Sequence, residues 1–197
     1  VRDGAASAMV SAGNTGATMA SALLRMGRIR GVSRPAIATL LPAPGTTPTV
    51  LLDAGANSEC SPEWLVQFGQ MGAVFATDRL GIAEPRVALL SIGEEAGKVS
   101  PLVKEAYKAL AEAAFRQGAF IGNVEGRDLL TDAADVVVTD GFTGNVALKA
   151  LEGSMKTLIT ALLTSMSARP EAIEAADVLA PEFDALYRQF HPDTYGG

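Results

Sequence analysis

Cysteine and histidine are nearly missing: Cys60 and His191 are the single examples of each in 197 residues. One thiol cannot form a disulfide within the chain, which suits a reducing, cytoplasmic compartment. Zinc centres draw several Cys and His ligands, so no metal is expected. No Cys-His pair is evident either, and a lone Cys is ordinarily a buried, inert thiol. Positive charge is in deficit as well. Lys and Arg number 16 against 22 Asp and Glu, a formal charge of −6. General nucleic-acid binding, which needs clustered cations facing phosphates, is therefore excluded. Apolar runs are broken by Gly, Pro or charge well short of the roughly 18 residues of a membrane span. The first residues, Val1-Arg2-Asp3-Gly4, have no initiator Met and no secretory pattern, and a fragment of a longer protein is expected.

What remains is the make-up of a folded α/β protein: 48% hydrophobic and 19% charged residues with 20 glycines. Short apolar runs alternate with helical patterns, the arrangement that builds a mostly parallel sheet with flanking helices. Strands are expected over Ala36–Leu41, Thr49–Leu52, Arg86–Ile92 and Ala134–Thr139. Helices are expected over Thr18–Met26, from Pro62 to Met71 or beyond, Pro101–Arg116 and Asn145–Met166. Leu148, Leu151, Met155, Leu158, Ile159, Leu162 and Met166 form one apolar stripe on the last of these, which must pack against something. Beyond Arg169, an acidic, Ala-rich stretch with Pro170, Pro181 and Pro192 reads as short helices joined by turns. The whole chain is taken as one α/β core, with residues 165–191 as a helical lid or arm.

Ligands in open α/β sheets gather beyond the carboxyl ends of the strands, so the strand-to-helix junctions hold the candidate site. Ser11-Ala12-Gly13-Asn14-Thr15-Gly16-Ala17 turns through two glycines into a helix. Such a turn offers backbone N–H groups to phosphate or carboxylate, or is a tight turn capped by Asn14 and Thr15. At Leu52-Asp53-Ala54-Gly55-Ala56-Asn57, Asp53 and Asn57 either bond a ligand or close a turn through their own backbone. Ile92-Gly93-Glu94-Glu95-Ala96-Gly97-Lys98 resembles a P-loop only superficially. It has three residues between the glycines and Val99 after the Lys, where a Walker motif needs four and a Ser or Thr. A nucleotide triphosphatase is disfavoured, while Lys98 stays a mobile cation suited to an anion or simply solvated. Asp140-Gly141-Phe142-Thr143-Gly144-Asn145 is again a strand, a glycine turn and a helix. In Gly122-Asn123-Val124-Glu125-Gly126-Arg127-Asp128 the charges are expected to pair with one another.

Taken together and in this order, these junctions, with Leu151-Glu152-Gly153, resemble the bacterial acyl-ACP:phosphate acyltransferase (PlsX) family. The resemblance spans nearly all of the chain to about Gly153, and the tail Tyr195-Gly196-Gly197 also resembles a family segment. Two positions depart from it: Ser91 replaces an expected Asn, and Val99-Ser100-Pro101 replaces a more polar stretch. The resemblance implies a fold similar to phosphotransacetylases and to the isocitrate and isopropylmalate dehydrogenases, usually dimeric, with no metal or nucleotide cofactor. It implies transfer of a long-chain fatty acyl group from acyl carrier protein to inorganic phosphate, giving acyl phosphate for phospholipid synthesis. A cytoplasmic enzyme with weak peripheral association at the inner face of the membrane follows. It also implies further segments before and after this stretch of chain.

Chemical aptitude then assigns roles. The Gly13–Ala17 turn and Lys98 would hold phosphate, Asn145 with nearby N–H groups would bind the developing oxyanion, and Asp140 would orient them. Ser11, Gly13, Asn14, Thr15, Gly16, Asp53, Asn57, Glu94, Gly141 and Gly144 are the substrate-binding candidates. Arg25, Arg28, Arg30 and Arg34 form a basic patch for an acidic carrier protein, or complement a helix C-terminus. The rival readings are a phosphotransacetylase-like enzyme using acyl-coenzyme A and a noncatalytic domain binding phosphate or an acyl group. A metal-dependent NAD dehydrogenase would need clustered carboxylates that the sequence does not show.

Overall fold

A computed structural model describes residues 1–93, 99–167 and 169–190. Five strands form one sheet: β1 (Ala38–Leu41), β2 (Thr49–Leu52), β3 (Arg86–Ser91), β4 (Ala119–Glu125) and β5 (Val136–Val138). Their order is β1-β2-β5-β3-β4. β1 runs antiparallel to β2 and the other pairings are parallel. Five helices accompany them: α1 (Thr15–Arg25), α2 (Pro62–Leu80), α3 (Pro101–Glu112), α4 (Gly141–Met166) and α5 (Pro170–Phe190).

The central strands β2, β3 and β5 are continuously apolar between Val50 and Leu52, Val87 and Leu90, and Val136 and Val138, because both faces of the sheet are covered. Val50, Leu52, Val87, Leu89, Val136 and Val138 point to one face, where Leu65, Phe68, Ala73 and Ala76 of α2 and Ala106 and Leu110 of α3 meet them. Leu51, Ala88, Leu90 and Val137 point to the other, against Leu129, Ala134 and the α4 residues Leu148 and Leu151. This is the period-two alternation of a strand read from both sides. Each fully buried Val, Leu or Phe contributes roughly 1.5–3 kcal/mol. α2 lies so close to β5 that a Cβ at Gly72 would stand 2.5 Å from Val136.

The expected strands all form, and β4 joins them at the sheet edge. Gly122 and Asn123 interrupt its apolar pattern, which hides a strand from a reading by alternation. α4 begins at Gly141 rather than Asn145, and α1 at Thr15 rather than Thr18. In both, glycines expected in a turn belong to the first helical turn. The short helices expected after Arg169 are one helix, α5, continuous through Pro181. Proline removes a single donor there, and neighbouring turns carry the helix across it. α5 packs on α4. The α4 stripe therefore divides: Leu148 and Leu151 cover the sheet, while Leu158 and Leu162 are exposed. Among the described residues, no helix is long and apolar enough to cross a membrane.

At the opposite end of the sheet, Arg86 ties β3 to the approach of β5. Its Nε and Nη2 donate to Asp135 at 3.0 Å, and Nη2 also reaches Asp132. Burial works against the Asp135 charge, but the Arg86 guanidinium and backbone N–H hold its carboxyl below the usual carboxylate range. A lowered folded-state pKa stabilises the fold above the unfolded carboxylate's pKa, and that contribution is lost as pH falls through the lowered value. Asp135→Asn should cost about 2 kcal/mol at pH 7, less than a wholly buried pair because Arg86 is partly exposed. Denaturant titrations should show the gap between wild type and variant closing below about pH 4.

Candidate active site

β2 and β5 are neighbours, so their carboxyl ends deliver the Asp53 and Asp140 junctions to one edge of the sheet. Asp53 is fully buried. Its Oδ1 accepts from the N–H groups of Ile37 (3.1 Å), Gly55 (3.0 Å) and Ala56 (2.9 Å). Its Oδ2 accepts from Asn57 N and Nδ2, both at 2.8 Å. The carboxylate thus winds residues 53–57 into a rigid loop around itself, with its acceptor capacity spent on the protein. Asn57 Nδ2 also donates to the Pro35 carbonyl at 2.8 Å, which straps the segment before β1 to the same loop.

The first turn of α4 rests on this loop. Asp140 is its N-cap: Oδ1 accepts from Thr143 N and Oδ2 from Thr143 Oγ1, both at 2.8 Å. Gly141 N donates to the Asn57 carbonyl at 2.7 Å. A Cβ at Gly141 would come within 2.6 Å of that carbonyl, and one at Gly144 would collide with the Asp53 carbonyl. The two glycines serve close approach. They bring Asn145, an exposed residue, to the loop, where its Nδ2 donates to the Ala54 carbonyl at 3.1 Å. One amide hydrogen is left for another acceptor. The sequence reading has Asp140 orient Asn145; in the structure both Asp140 oxygens are engaged by Thr143, and the Ala54 carbonyl positions the amide. Phe142 (66% exposed) and Val146 (53%) flank Asn145 with apolar surface.

Cys60 sits beneath this loop, its thiol 3.7 Å from the Asn57 carbonyl. Burial, the largest cause, pushes its pKa up to about 11; the Gly141 backbone opposes it, and the charges of Asp53 and Asp140 add smaller upward pushes. Near neutral pH it is a thiol, not a nucleophilic thiolate. Cys60→Ala should retain turnover within about twofold, and iodoacetamide at pH 7.5 should inactivate slowly if at all; rapid inactivation tracking Cys60 alkylation would give the thiol a role.

The Ser11–Ala17 junction is separate from this cluster in its bonding. Asn14 Oδ1 accepts from Gly16 N (2.9 Å) and Ala17 N (3.3 Å), and Thr18 Oγ1 donates to Ser11 Oγ at 2.7 Å. All of these contacts are local and exposed. Asn14 therefore caps α1, and two of the N–H groups this turn would offer to phosphate are taken. Thr15 and Gly16 belong to the helix, and Gly13 to the turn before it. Glu94 and Lys98 lie outside the described residues. Of the arginines, Arg25 ends α1, Arg28 donates to the Ser33 carbonyl at 2.6 Å, and Arg34 lies 4.9 Å from the Trp64 ring centre. Arg30 is exposed. In the β4 junction, Arg127 pairs with Glu125 at 3.1 Å and Glu125 N donates to Asp128. The Pro35 and Ala54 carbonyls and the Ile37 N–H were not legible beforehand, because backbone groups carry no sequence signature and these act across long chain separations.

A model of the fatty acid synthesis protein family matches residues 1–197. The chain belongs to that family. Among its relatives, the phosphate acyltransferase of Elusimicrobium minutum (strain Pei191) is 49% identical over 197 residues, covering all of this chain and 57% of the relative. The phosphate acyltransferase of Bacillus subtilis (strain 168) is 45% identical, again over the whole chain and 59% of the relative. The chain thus spans somewhat over half the length of the curated relatives it matches. Among solved structures, the EutD phosphotransacetylase from Staphylococcus aureus superposes with a TM-score of 0.56 at 22% identity, covering 71% of this chain and 48% of that one. At that identity the likeness concerns the fold alone, and it bears out the phosphotransacetylase-like α/β architecture. For this member of the fatty acid synthesis protein family, the candidate site is the Asp53 loop and the α4 N-terminus it supports.

Proposed function

We propose that this chain forms the core of an enzyme that transfers a long-chain fatty acyl group from acyl carrier protein to inorganic phosphate. The observation that carries the reading is Asn145: an exposed amide fixed by a buried-carboxylate loop at the sheet's carboxyl edge, within a family whose relatives are named phosphate acyltransferases. A phosphate oxygen attacks the thioester carbonyl carbon, and the carbonyl oxygen becomes an oxyanion that accepts a hydrogen bond from the second Asn145 amide hydrogen. The C–S bond then breaks, the carbonyl re-forms as acyl phosphate, and the departing thiolate takes a proton. Lys98 and those N–H groups of the Gly13–Ala17 turn that Asn14 does not engage are the candidates for holding phosphate, and Glu94 for lining its path. Asp53, Asn57, Gly141 and Gly144 act by placing Asn145, not by touching substrate.

Arg25, Arg28, Arg30 and Arg34, exposed on an otherwise acidic chain, support docking of an acidic carrier protein. A homodimer belongs to the same reading, supported by apolar side chains left exposed on α4 and α5, Leu158, Leu163 and Val178 among them. The same residues support a weak peripheral membrane contact, which the carboxylates along α5 oppose on an anionic surface. The test is thiol release from hexadecanoyl carrier protein by the complete protein, with and without phosphate. Release that requires phosphate and prefers the carrier donor supports the reading. Equal or better use of acyl-coenzyme A moves it to a phosphotransacetylase-like enzyme, and no release from either leaves a binding domain.

A further inference from the structure

A second feature lies behind the Asp53 loop. A cavity of about 320 Å³ separates α1 from α2 and the end of β2, at the lower end of the volumes that hold small ligands. Met19, Leu23 and Ile29 line it on one side, and Leu52, Met71 and Phe75 on the other. No residue of α1 is buried, so this helix presents apolar side chains without covering them in the core, while Ile29 is 74% exposed.

The cavity shares its wall with the candidate site. Leu52 precedes Asp53 in the chain. Pro35, another lining residue, gives its carbonyl to Asn57, and Ile37, next to the lining residue Ala36, gives its N–H to Asp53. At the other end, Leu23, Gly27, Arg28 and Pro35 are common to a groove that also contains Arg34 and Trp64. An apolar chamber with guanidinium groups at its rim and a reaction centre behind its wall fits an amphiphile with an alkyl chain and an anionic tether.

We infer that this cavity receives the alkyl chain of the acyl donor and sets the chain length transferred. The inference rests on the acyl-transfer reading and adds a specificity determinant to it. Ala22 lines the chamber from α1, and phenylalanine there narrows it. Leu23→Ala enlarges it, and keeps the test alive should the added ring disturb α1.

Turnover of butanoyl, dodecanoyl and hexadecanoyl donors by the complete protein is one readout, and fluorescence binding of cis-parinaric acid is the other. Ala22→Phe should lower the hexadecanoyl-to-butanoyl ratio of kcat/KM about tenfold or more and weaken the probe correspondingly, while Leu23→Ala shifts the ratio toward the longer donor. Variants that scale all three donors alike, with probe binding unchanged, would overturn the assignment. A wild-type protein that binds the probe in a cavity-dependent way yet transfers no acyl group would keep the cavity as an alkyl site and remove the acyl-transfer reading.

Discussion

Asn145→Ala in the complete protein is expected to lower turnover about 100-fold or more, the usual cost of removing one preorganised oxyanion donor. A fixed donor gains strength where charge develops. The ground-state carbonyl is a weak acceptor, the tetrahedral oxyanion a strong one, so the donor acts chiefly in the transition state and kcat should fall more than KM changes. The expected loss rests on placement: Gly141 and Gly144 let α4 settle onto the loop, and the Ala54 carbonyl fixes the Asn145 amide. Its side chain buries little and makes one hydrogen bond to the protein, so thermal unfolding should move little. A variant with full turnover would take Asn145 out of the chemistry.

Asp53→Asn is expected to destabilise the fold by about 3–5 kcal/mol. Three backbone N–H groups face one carboxylate oxygen, and the Asn57 N–H and amide face the other. Whichever way an amide is placed, its NH2 points at donors, and at least two buried donors lose their acceptor. Denaturant midpoints read the cost directly. Turnover should fall as well, since the loop carrying the Ala54 carbonyl would no longer be held beneath Asn145. A variant as stable as wild type would mean that the loop does not depend on the carboxylate.

Much of this was legible in the chain. The strand runs Thr49–Leu52 and Arg86–Ile92 were visible because a doubly covered parallel strand is continuously apolar, and the junctions after them because glycine and short polar residues cluster there. The turn-closing account of Asp53 and Asn57 was as open as the ligand-binding one, and the bonding shows the former. Position along α4 was misjudged for a physical reason. Glycine at 141 and 144 signals a turn by propensity, but here it serves close packing of a helix on a backbone carbonyl, which only the tertiary fold reveals. β4 was missed because an edge strand tolerates Gly122 and Asn123 where a central one would not. Pro181 signalled a break that α5 does not make, since one missing donor in an exposed helix is a small loss against the turns on either side.

The measurement that bears most directly on the account is mass detection of hexadecanoyl phosphate after incubating the complete protein with hexadecanoyl carrier protein and inorganic phosphate, beside the Asn145→Ala variant. The account predicts acyl phosphate in amounts equal to the thiol released, dependent on phosphate, and about 100-fold slower in the variant. Thiol release with free fatty acid as the only product, at the same rate without phosphate, would contradict it.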